Sequence, residues 1–472
     1  MPAIDLPPFE DLFPVAYTRR AAIGGLGAAV AAAAPRIRAS AKHQNVAASP
    51  EATPAGATPV APNAYRTTPQ VFEYDSFNFE FLNVLGGTYE QIADVGEAFA
   101  AAAGVVDYDF ESWVTNWTAM GDRLRAIGDE ADARGRRVSA REAYARASNY
   151  YGVAYWFTLG TSQPERLPIL WEQSYTAFAD FLSRLDRPVE PVQIPYENTT
   201  LPGFAVLVDD SRDPRPWVIL QNGSDGPNIS MWSFGGAAAL RRGYNVLFYD
   251  GPGQNAALFR QNLPFRPDWE AVITPVVDFL HARPNVIPDQ IALYGISQSG
   301  YWAPRAAAFE HRLAAVIADP GVHDVSTSWT RNLPAEMLDA LYGASGDELE
   351  GIKQAIDQEV DQARAQDPTV NFTLGFRMYP FGTDSLSEVL LGLRDYNLTG
   401  IADQIQCPIL ITDPEGEDFW PNQSVELAGM IGENATLAPF SADEGADLHC
   451  EPKAAGRRNQ VIFDWLDDTL GR

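Results

Sequence analysis

The stretch IALYGISQSG, residues 291–300, decides the fold. A short apolar strand leads into a G-x-S-x-S-G turn, and a helical pattern follows from Ser299. A serine at the tip of such a turn stands in a strained backbone conformation with its hydroxyl exposed. Its neighbours two positions away must be small because the strand and the helix pass close together, and Gly295 and Ser299 meet this need. The motif predicts that Ser297 is a nucleophile.

Short apolar runs alternate with helical patterns on both sides of this turn. Such alternation predicts a mostly parallel sheet with helices on both faces, preceded by one antiparallel strand pair. Together with the serine turn, it predicts an α/β-hydrolase fold. The predicted strands are 192–196, 203–208, 217–221, 245–249, 291–294, 314–318 and 408–412, and the predicted helices are 229–242, 268–281, 299–309 and 453–470.

The chain is expected to divide into four parts. Residues 69–188 show helical spacing with aromatic faces, which predicts a helical cap domain; a capping box at Ser139–Glu142 is expected to open one of its helices. Residues 189–472 form the predicted catalytic domain, in which the segment from about 323 to 402 is predicted to be a helical lid. Residues 42–68 are rich in Ala, Pro and Thr and are expected to be a disordered linker.

Residues 1–41 are expected to be an export signal. The paired arginines Arg19 and Arg20 precede the weakly apolar stretch Ala21–Ala34, and Ala39–Ala41 offers a small-x-small cleavage site. This order is typical of a twin-arginine signal, although the acidic residues before it are unusual for one. We therefore expect a periplasmic or extracellular protein.

A serine nucleophile needs a base and an acid. Of the five histidines, only His449 follows the last predicted strand in a loop, which is where the chain order serine, acid, histidine places the base. The acid should follow the strand 408–412. Four carboxylates compete in that loop, and the spacing to Pro421 favours Glu417, with Asp418 as the alternative.

The oxyanion that forms during acyl transfer needs two amide donors. The loop 222–226 follows the strand 217–221, and the backbone amides of Ser224 and Gln298 are the predicted donors. The turn DGPGQ, residues 250–254, follows the next strand and passes near this place. Either a structural or a catalytic role fits that turn.

The charge and the cysteines limit the partners. The 34 basic and 62 acidic residues give a formal charge of −28, which disfavours nucleic acid and anionic membranes as partners. Cys407 and Cys450 lack metal-site spacing, so neither a metal nor a cofactor is expected. A disulfide between them is compatible with export, and the sequence leaves it open.

The combined motifs also resemble a known family. The runs 139–151, 194–207, 250–254, 294–312, 413–423 and 444–452 look like those of capped α/β-hydrolases related to 2,6-dihydroxypseudooxynicotine hydrolase, fungal polyketide-shortening hydrolases and acylaminoacyl peptidase-like proteins. The resemblance implies a helical cap through which a homodimer forms, and either ester hydrolysis or carbon–carbon cleavage beside a ketone. The chain departs from it at Ser299, which replaces a glycine, and at Asn255-Ala256, where Gly-Glu is frequent.

Hydrolysis of a small carboxylic ester is the expected activity, because the two coverings predict an enclosed, apolar site. The alternative is carbon–carbon hydrolysis of an aromatic ketone or β-diketone, which needs an acid to protonate the leaving carbon. Asp324, at the start of the predicted lid, is the candidate acid. A peptidase or a binding module without catalysis fits less well, since every triad role has a candidate.

Overall fold

The computed structural model describes residues 70–472, and the predicted export signal and linker lie outside them. One sheet of eight strands runs through the C-terminal part in the order β1-β2-β4-β3-β5-β6-β7-β8. The pairs β1–β2 and β2–β4 are antiparallel, and all other pairs are parallel. The strands are β1 Val189–Tyr196, β2 Thr199–Val206, β3 Arg215–Gln221, β4 Asn245–Tyr249, β5 Val286–Ile296, β6 Ala315–Asp319, β7 Ile409–Pro414 and β8 Ala435–Phe440.

From residue 70 onward, five α-helices precede the sheet and form a cap. They are α1 Asp75–Gly86, α2 Val95–Ala102, α3 Phe110–Ala133, α4 Arg137–Trp156 and α5 Leu167–Ser183. Aromatic rings fill the core of the cap; Phe77 stacks on Trp113 with ring centroids 4.4 Å apart. Side-chain oxygens of Asp94 and Asp109 accept backbone amides at the starts of α2 and α3, which satisfies donors that a helix cannot pair internally.

The remaining helices cover the sheet or cross its carboxyl edge. Both faces of the sheet carry a hydrophobic core. The chain between β6 and β7 contributes five helices that lie against the cap, since Phe372 packs against Phe157 with centroids 5.0 Å apart. The helices before β6 are α6 Asn228–Met231, α7 Ala237–Arg241, α8 Asn255–Gln261, α9 Glu270–His281 and α10 Ser299–Ala307. Those between β6 and β7 are α11 Thr327–Thr330, α12 Ala335–Gly343, α13 Gly346–Gln366, α14 Pro368–Met378 and α15 Leu386–Gly392. Those after β7 are α16 Gln423–Ile431 and α17 Ala455–Thr469.

The mostly parallel sheet is confirmed, but one strand was missed and two local predictions were wrong. Strand β8 was not predicted, because it is an edge strand with alternating exposure and a proline. The capping box does not form: α4 begins at Arg137, two residues after Gly135 turns the chain at φ 68°. The helix predicted at 229–242 is broken by a π-turn, in which Gly235 lies at φ 132° against the Tyr294 ring.

Two contacts join α1 and its C-terminal extension to the sheet domain. The buried carboxylate of Glu90 forms two hydrogen bonds with Arg241, both 2.6 Å, and accepts a third from Asn459 at 3.1 Å. Gly86 lies so close to the loop after β8 that an added Cβ would stand 1.7 Å from the Pro452 carbonyl oxygen. The cap is therefore seated on the sheet domain by direct backbone approach.

No helix among residues 70–472 combines the length and the hydrophobicity that crossing a bilayer requires.

Gly86→Ala tests the backbone approach between the cap and the sheet domain. Near a helix end, alanine normally stabilises relative to glycine, but here its methyl group meets the Pro452 carbonyl. We expect the free energy of unfolding to fall by about 1–3 kcal/mol, as for other overpacked sites. The matched control is Gly351→Ala in α13, where nothing lies within 4 Å of the new methyl group. Chemical denaturation should show equal or higher stability for the control; a Gly86→Ala protein as stable as the control would contradict the contact.

Candidate active site

Ser297 lies in the turn between β5 and α10 and has a left-handed backbone conformation, with φ 55°. Its amide donates to the Asp319 carbonyl oxygen at 2.6 Å, at the end of the neighbouring strand β6. A Cβ on Gly295 would stand 2.5 Å from the Ser299 carbonyl oxygen, and one on Gly300 would stand 1.8 Å from the Pro320 carbonyl oxygen. The turn is thus as crowded as its sequence predicts, and the Ser297 side chain points out of it.

Three side chains from separate loops meet at this turn. The Ser297 hydroxyl lies 2.9 Å from Nε2 of His449, and Nδ1 of His449 lies 2.7 Å from Oε2 of Glu417. The second carboxylate oxygen, Oε1, accepts the backbone amides of Phe419 at 2.8 Å and Trp420 at 3.0 Å. The structure brings together the three residues that the sequence selected as nucleophile, base and acid.

The electrostatics of the pair suit a base and its orienting acid. Burial alone would raise the pKa of Glu417, but His449 and the two amides bring it below its ordinary value. Burial alone would lower the pKa of His449, but the Glu417 carboxylate raises it above its ordinary value. The pair therefore favours an imidazolium once His449 has accepted a proton.

The structure separates Glu417 from Asp418. The Asp418 side chain is exposed, and its backbone carbonyl accepts a hydrogen bond from Arg331 at 2.5 Å. The carboxylate within hydrogen-bonding distance of His449 is that of Glu417.

The loop after β3 approaches the nucleophile closely. A Cβ on Gly223 would stand 2.8 Å from the Ser297 Cβ, so a side chain there would displace the serine. Within residues 70–472, the backbone amides of Ser224 and Gln298 donate to no protein acceptor. Both amides are therefore available to a ligand oxygen beside Ser297, which is what the predicted oxyanion hole requires.

Gln254 holds this loop in place, a role that sequence reasoning missed. Its buried amide nitrogen donates to the carbonyl oxygens of Asn222 at 2.7 Å and Gly223 at 2.8 Å. Its oxygen accepts from Gln221 and from the Gly251 amide, both at 3.0 Å. The DGPGQ turn was noticed in the sequence, but which atoms its glutamine contacts depends on the packing of three loops.

Ser299, the residue that replaces a glycine, also reaches this loop: its hydroxyl donates to the carbonyl oxygen of Asn222. The substitution therefore adds a hydrogen bond between the helix after the nucleophile and the loop that carries the free Ser224 amide.

A cavity of about 160 Å³ opens beside Ser297, between the cap and the chain that joins β6 to β7. Its walls are mostly aromatic, and a few polar side chains interrupt them. The apolar part is lined by Phe79, Trp156, Phe157, Phe265, Trp329, Phe372, Phe376, Pro380, Phe381, Phe419 and Trp420.

Three charged residues that sequence reasoning missed also line the cavity: Glu80 of α1, Asp225 of the loop after β3, and Arg377 of α14. Burial raises the pKa of Glu80 well above its ordinary value, and the nearby Asp225 adds to this. Burial also raises the pKa of Asp225, to about 6. A charged residue inside an aromatic run, as in FNFEF for Glu80 and GFRMYPF for Arg377, was the available signal.

The predicted lid acid Asp324 does not reach the cavity. Its carboxylate accepts the backbone amide and the hydroxyl of Ser326 at 2.9 and 2.6 Å, in a local turn before α11. Asp324 is absent from the residues that line the cavity beside Ser297.

Residues 70–472 contain neither a disulfide nor a cluster of metal-binding side chains. Cys407 and Cys450 are both free thiols, so the disulfide that the sequence left open does not form. Cys450 is buried, and its Sγ donates to the Asp319 carbonyl oxygen at 3.3 Å. In the part of the chain that the structure describes, no three His, Cys, Asp or Glu side chains are arranged to hold a metal ion.

Comparison with known proteins identifies relatives over most of the chain. A hydrolyase of Penicillium oxalicum is 32% identical over 421 residues, which cover 84% of this chain and 98% of that protein. The 20-hydroxy-prefusarin hydrolase of Gibberella moniliformis is 31% identical over 418 residues, covering 85% of this chain and 98% of that protein. An α/β hydrolase of Aspergillus fumigatus is 29% identical over 436 residues, covering 86% and 95%. No protein-family model matches the chain.

Among solved structures, 2,6-dihydroxy-pseudo-oxynicotine hydrolase has a similar fold. The two superpose with a TM-score of 0.63 and 20% sequence identity, and the match covers 82% of this chain and 95% of the other. This likeness supports the fold.

Glu417→Gln tests whether the carboxylate beside His449 activates Ser297. Glutamine keeps the shape but loses the charge that stabilises the imidazolium, so the rate of reaction with a fluorophosphonate should fall by roughly 10⁴-fold, the loss in kcat caused by the corresponding Asp→Asn change in a serine protease triad. The matched control, Asp418→Asn, removes the neighbouring exposed charge and should react at the wild-type rate. Labelling kinetics measure both; loss of labelling in the Asp418 variant alone would assign the acid to Asp418.

Proposed function

Because the chain belongs to the α/β-hydrolase family that includes these fungal enzymes, we propose that Ser297, His449 and Glu417 form a catalytic triad. The triad attacks the carbonyl of a compact, largely apolar substrate and forms an acyl-enzyme. The 2.9 Å approach of the Ser297 hydroxyl to His449 is the observation that carries this proposal. The amides of Ser224 and Gln298 receive the oxyanion, where each such donor is worth about 3–4 kcal/mol.

The bond that is cleaved depends on how the leaving group acquires its proton. An ester, the substrate class that the sequence favoured, releases an alcohol that His449 itself can protonate. A ketone releases a carbon group, which needs an acid near the cleaved bond. We assign that role to Glu80, which lines the cavity beside Ser297 and whose pKa burial raises well above its ordinary value. Asp225 lines the same cavity, but its pKa of about 6 makes it a weaker candidate for a proton donor at neutral pH.

Carbon–carbon cleavage beside a ketone is therefore the reaction we propose first, and ester hydrolysis is the second candidate. The Ser297 hydroxyl adds to the ketone carbon while His449 takes its proton. Collapse of the adduct breaks the carbon–carbon bond, and its electron pair leaves with the departing carbon, which takes the proton of Glu80. The proton on His449 is returned to Glu80 through solvent, and water then cleaves the acyl-enzyme. The net reaction consumes one water and yields a carboxylic acid and a C–H product.

Glu80→Gln separates the two reactions. Glutamine cannot donate the proton, so turnover of benzoylacetone should fall by roughly 10²–10⁴-fold, the usual contribution of a general acid. Hydrolysis of p-nitrophenyl butyrate should stay within about threefold of wild type, because that leaving group needs no acid. The matched control is Glu73→Gln, an exposed glutamate just before α1, which should leave both rates unchanged.

The wild-type pH profile for the ketone should rise as His449 loses its proton and fall as Glu80 loses its own. In Glu80→Gln, the alkaline limb should disappear from whatever turnover remains. Ready ester turnover with no ketone cleavage by the wild-type protein would select the second candidate. Equal losses on both substrates would make Glu80 a structural residue.

We also propose that the protein is exported, on the strength of the Arg19-Arg20 pair and the apolar stretch after it. N-terminal mass spectrometry of the protein from its native host should find a mature chain that starts near Lys42. An intact Met1 or Pro2 terminus in cytosolic protein would contradict export. The homodimer through the cap stays a prediction.

A further inference from the structure

Among residues 70–472, Arg377 is the one arginine or lysine that lines the cavity beside Ser297. It belongs to α14, near the carboxyl end of that helix, so its position depends on the helices between β6 and β7. The flat face of its guanidinium lies over the Trp329 ring, 4.0 Å from the ring centroid. Stacking of this kind holds the group in one plane and leaves its edge free to donate hydrogen bonds.

The protein uses only part of this donor edge. Nη2 donates to the backbone oxygen and to the hydroxyl of Ser328, both at 3.2 Å. Within the part of the chain that the structure describes, Nε and Nη1 have no protein acceptor, and neither is among the buried atoms without a partner. Both nitrogens are therefore accessible from the cavity.

The positive charge is also left without an ion pair. Many arginines of the described chain contact a carboxylate directly, as Arg305 contacts Glu270 at 2.8 Å, but Arg377 has no carboxylate oxygen within 4.0 Å among residues 70–472. Burial and the repulsion of Arg331 lower its pKa to about 10, although the attraction of the Asp225 carboxylate in the same cavity partly opposes this, so Arg377 remains charged at neutral pH. A cation in an apolar site costs free energy unless an anion accompanies it.

We infer that the substrate carries an anionic oxygen, a carboxylate or the enolate of a β-dicarbonyl, which accepts a hydrogen bond from a free N–H of Arg377, at Nε or Nη1, while the aromatic walls hold the rest. This inference rests on the proposed function, because it concerns the same cavity. A hydrogen bond from a charged guanidinium to an anionic oxygen is shorter and stronger than one between neutral groups. Arg377 thereby fixes which carbonyl of the substrate faces Ser297.

Binding to the Ser297→Ala protein tests this without any turnover. The carboxylate arm compares phenylacetate with phenylethanol, and the enolate arm compares benzoylacetone with butyrophenone, by titration calorimetry. In Arg377→Met, which keeps the length but loses the charge and the donors, the favoured anion should bind at least tenfold more weakly. Arg377→Lys should recover part of that loss. The neutral compounds should change less than threefold.

The matched control is Arg394→Met, an exposed arginine of the same insertion, which should bind every compound as the parent protein does. Thermal unfolding of each variant checks that the helices between β6 and β7 remain folded. If Arg377→Met unfolds, the inference is tested instead by the affinity of Arg377→Lys for the anions, and by whether benzoylacetone binds the parent protein more tightly at a pH above the pKa of its enol. Loss confined to phenylacetate identifies a carboxylate, and loss confined to benzoylacetone identifies an enolate. Equal binding of all four compounds by the parent and Arg377→Met overturns the inference.

Catalytic failure and binding failure remain distinguishable. A wild-type protein that cleaves no ketone or ester, while Arg377 still selects an anion, would overturn the proposed reaction and leave this inference standing. If the wild type and Arg377→Met both turn over neutral substrates as well as anionic ones, the proposed reaction stands and the inference about Arg377 is overturned.

Discussion

The left-handed backbone of Ser297 is the constraint on which the rest of the site depends. An L-residue adopts this conformation only where its surroundings compel it, and the hydrogen bond from the Ser297 amide to the Asp319 carbonyl does so here. That bond requires β6 to end beside β5. The same crowding requires glycine at positions 295 and 300, where any side chain would meet backbone oxygen. One strained residue thus fixes the spacing of two strands, a helix and the loop that contains Gly223.

This constraint explains which parts of the molecule could be predicted from the sequence. The steric rule for the serine turn is local, so residues 291–300 predicted the placement of Ser297 and the strand and helix around it. His449 and Glu417 followed from chain order and from the spacing to Pro421. Strand β8 could not be found in this way, because an edge strand with a half-exposed face has little hydrophobic pattern.

The ionisable side chains of the cavity could not be predicted, for a different reason. Glu80, Asp225 and Arg377 come from three distant parts of the chain, and none has a motif around it. Tertiary packing brings these three residues together. The signal in the sequence was an ionisable residue within an aromatic run, at Glu80 and at Arg377. Asp324 was chosen for its place after β6, yet a local turn with Ser326 satisfies its carboxylate and keeps it away. In the proposed function, the loops of the sheet supply the reacting groups, and the helices that cover the sheet select the substrate.

The approach of Gly86 to Pro452 has a consequence for the evolution of such proteins. Pro452 lies three residues after His449, so the end of the first cap helix touches the loop that holds the base. A cap transplanted from a relative would have to reproduce that backbone contact to within a fraction of an ångström. Recombination between relatives should therefore tolerate crossover points inside the insertion after β6 more readily than at the junction of cap and sheet. Cap and catalytic loop are expected to be inherited together, as one unit of descent.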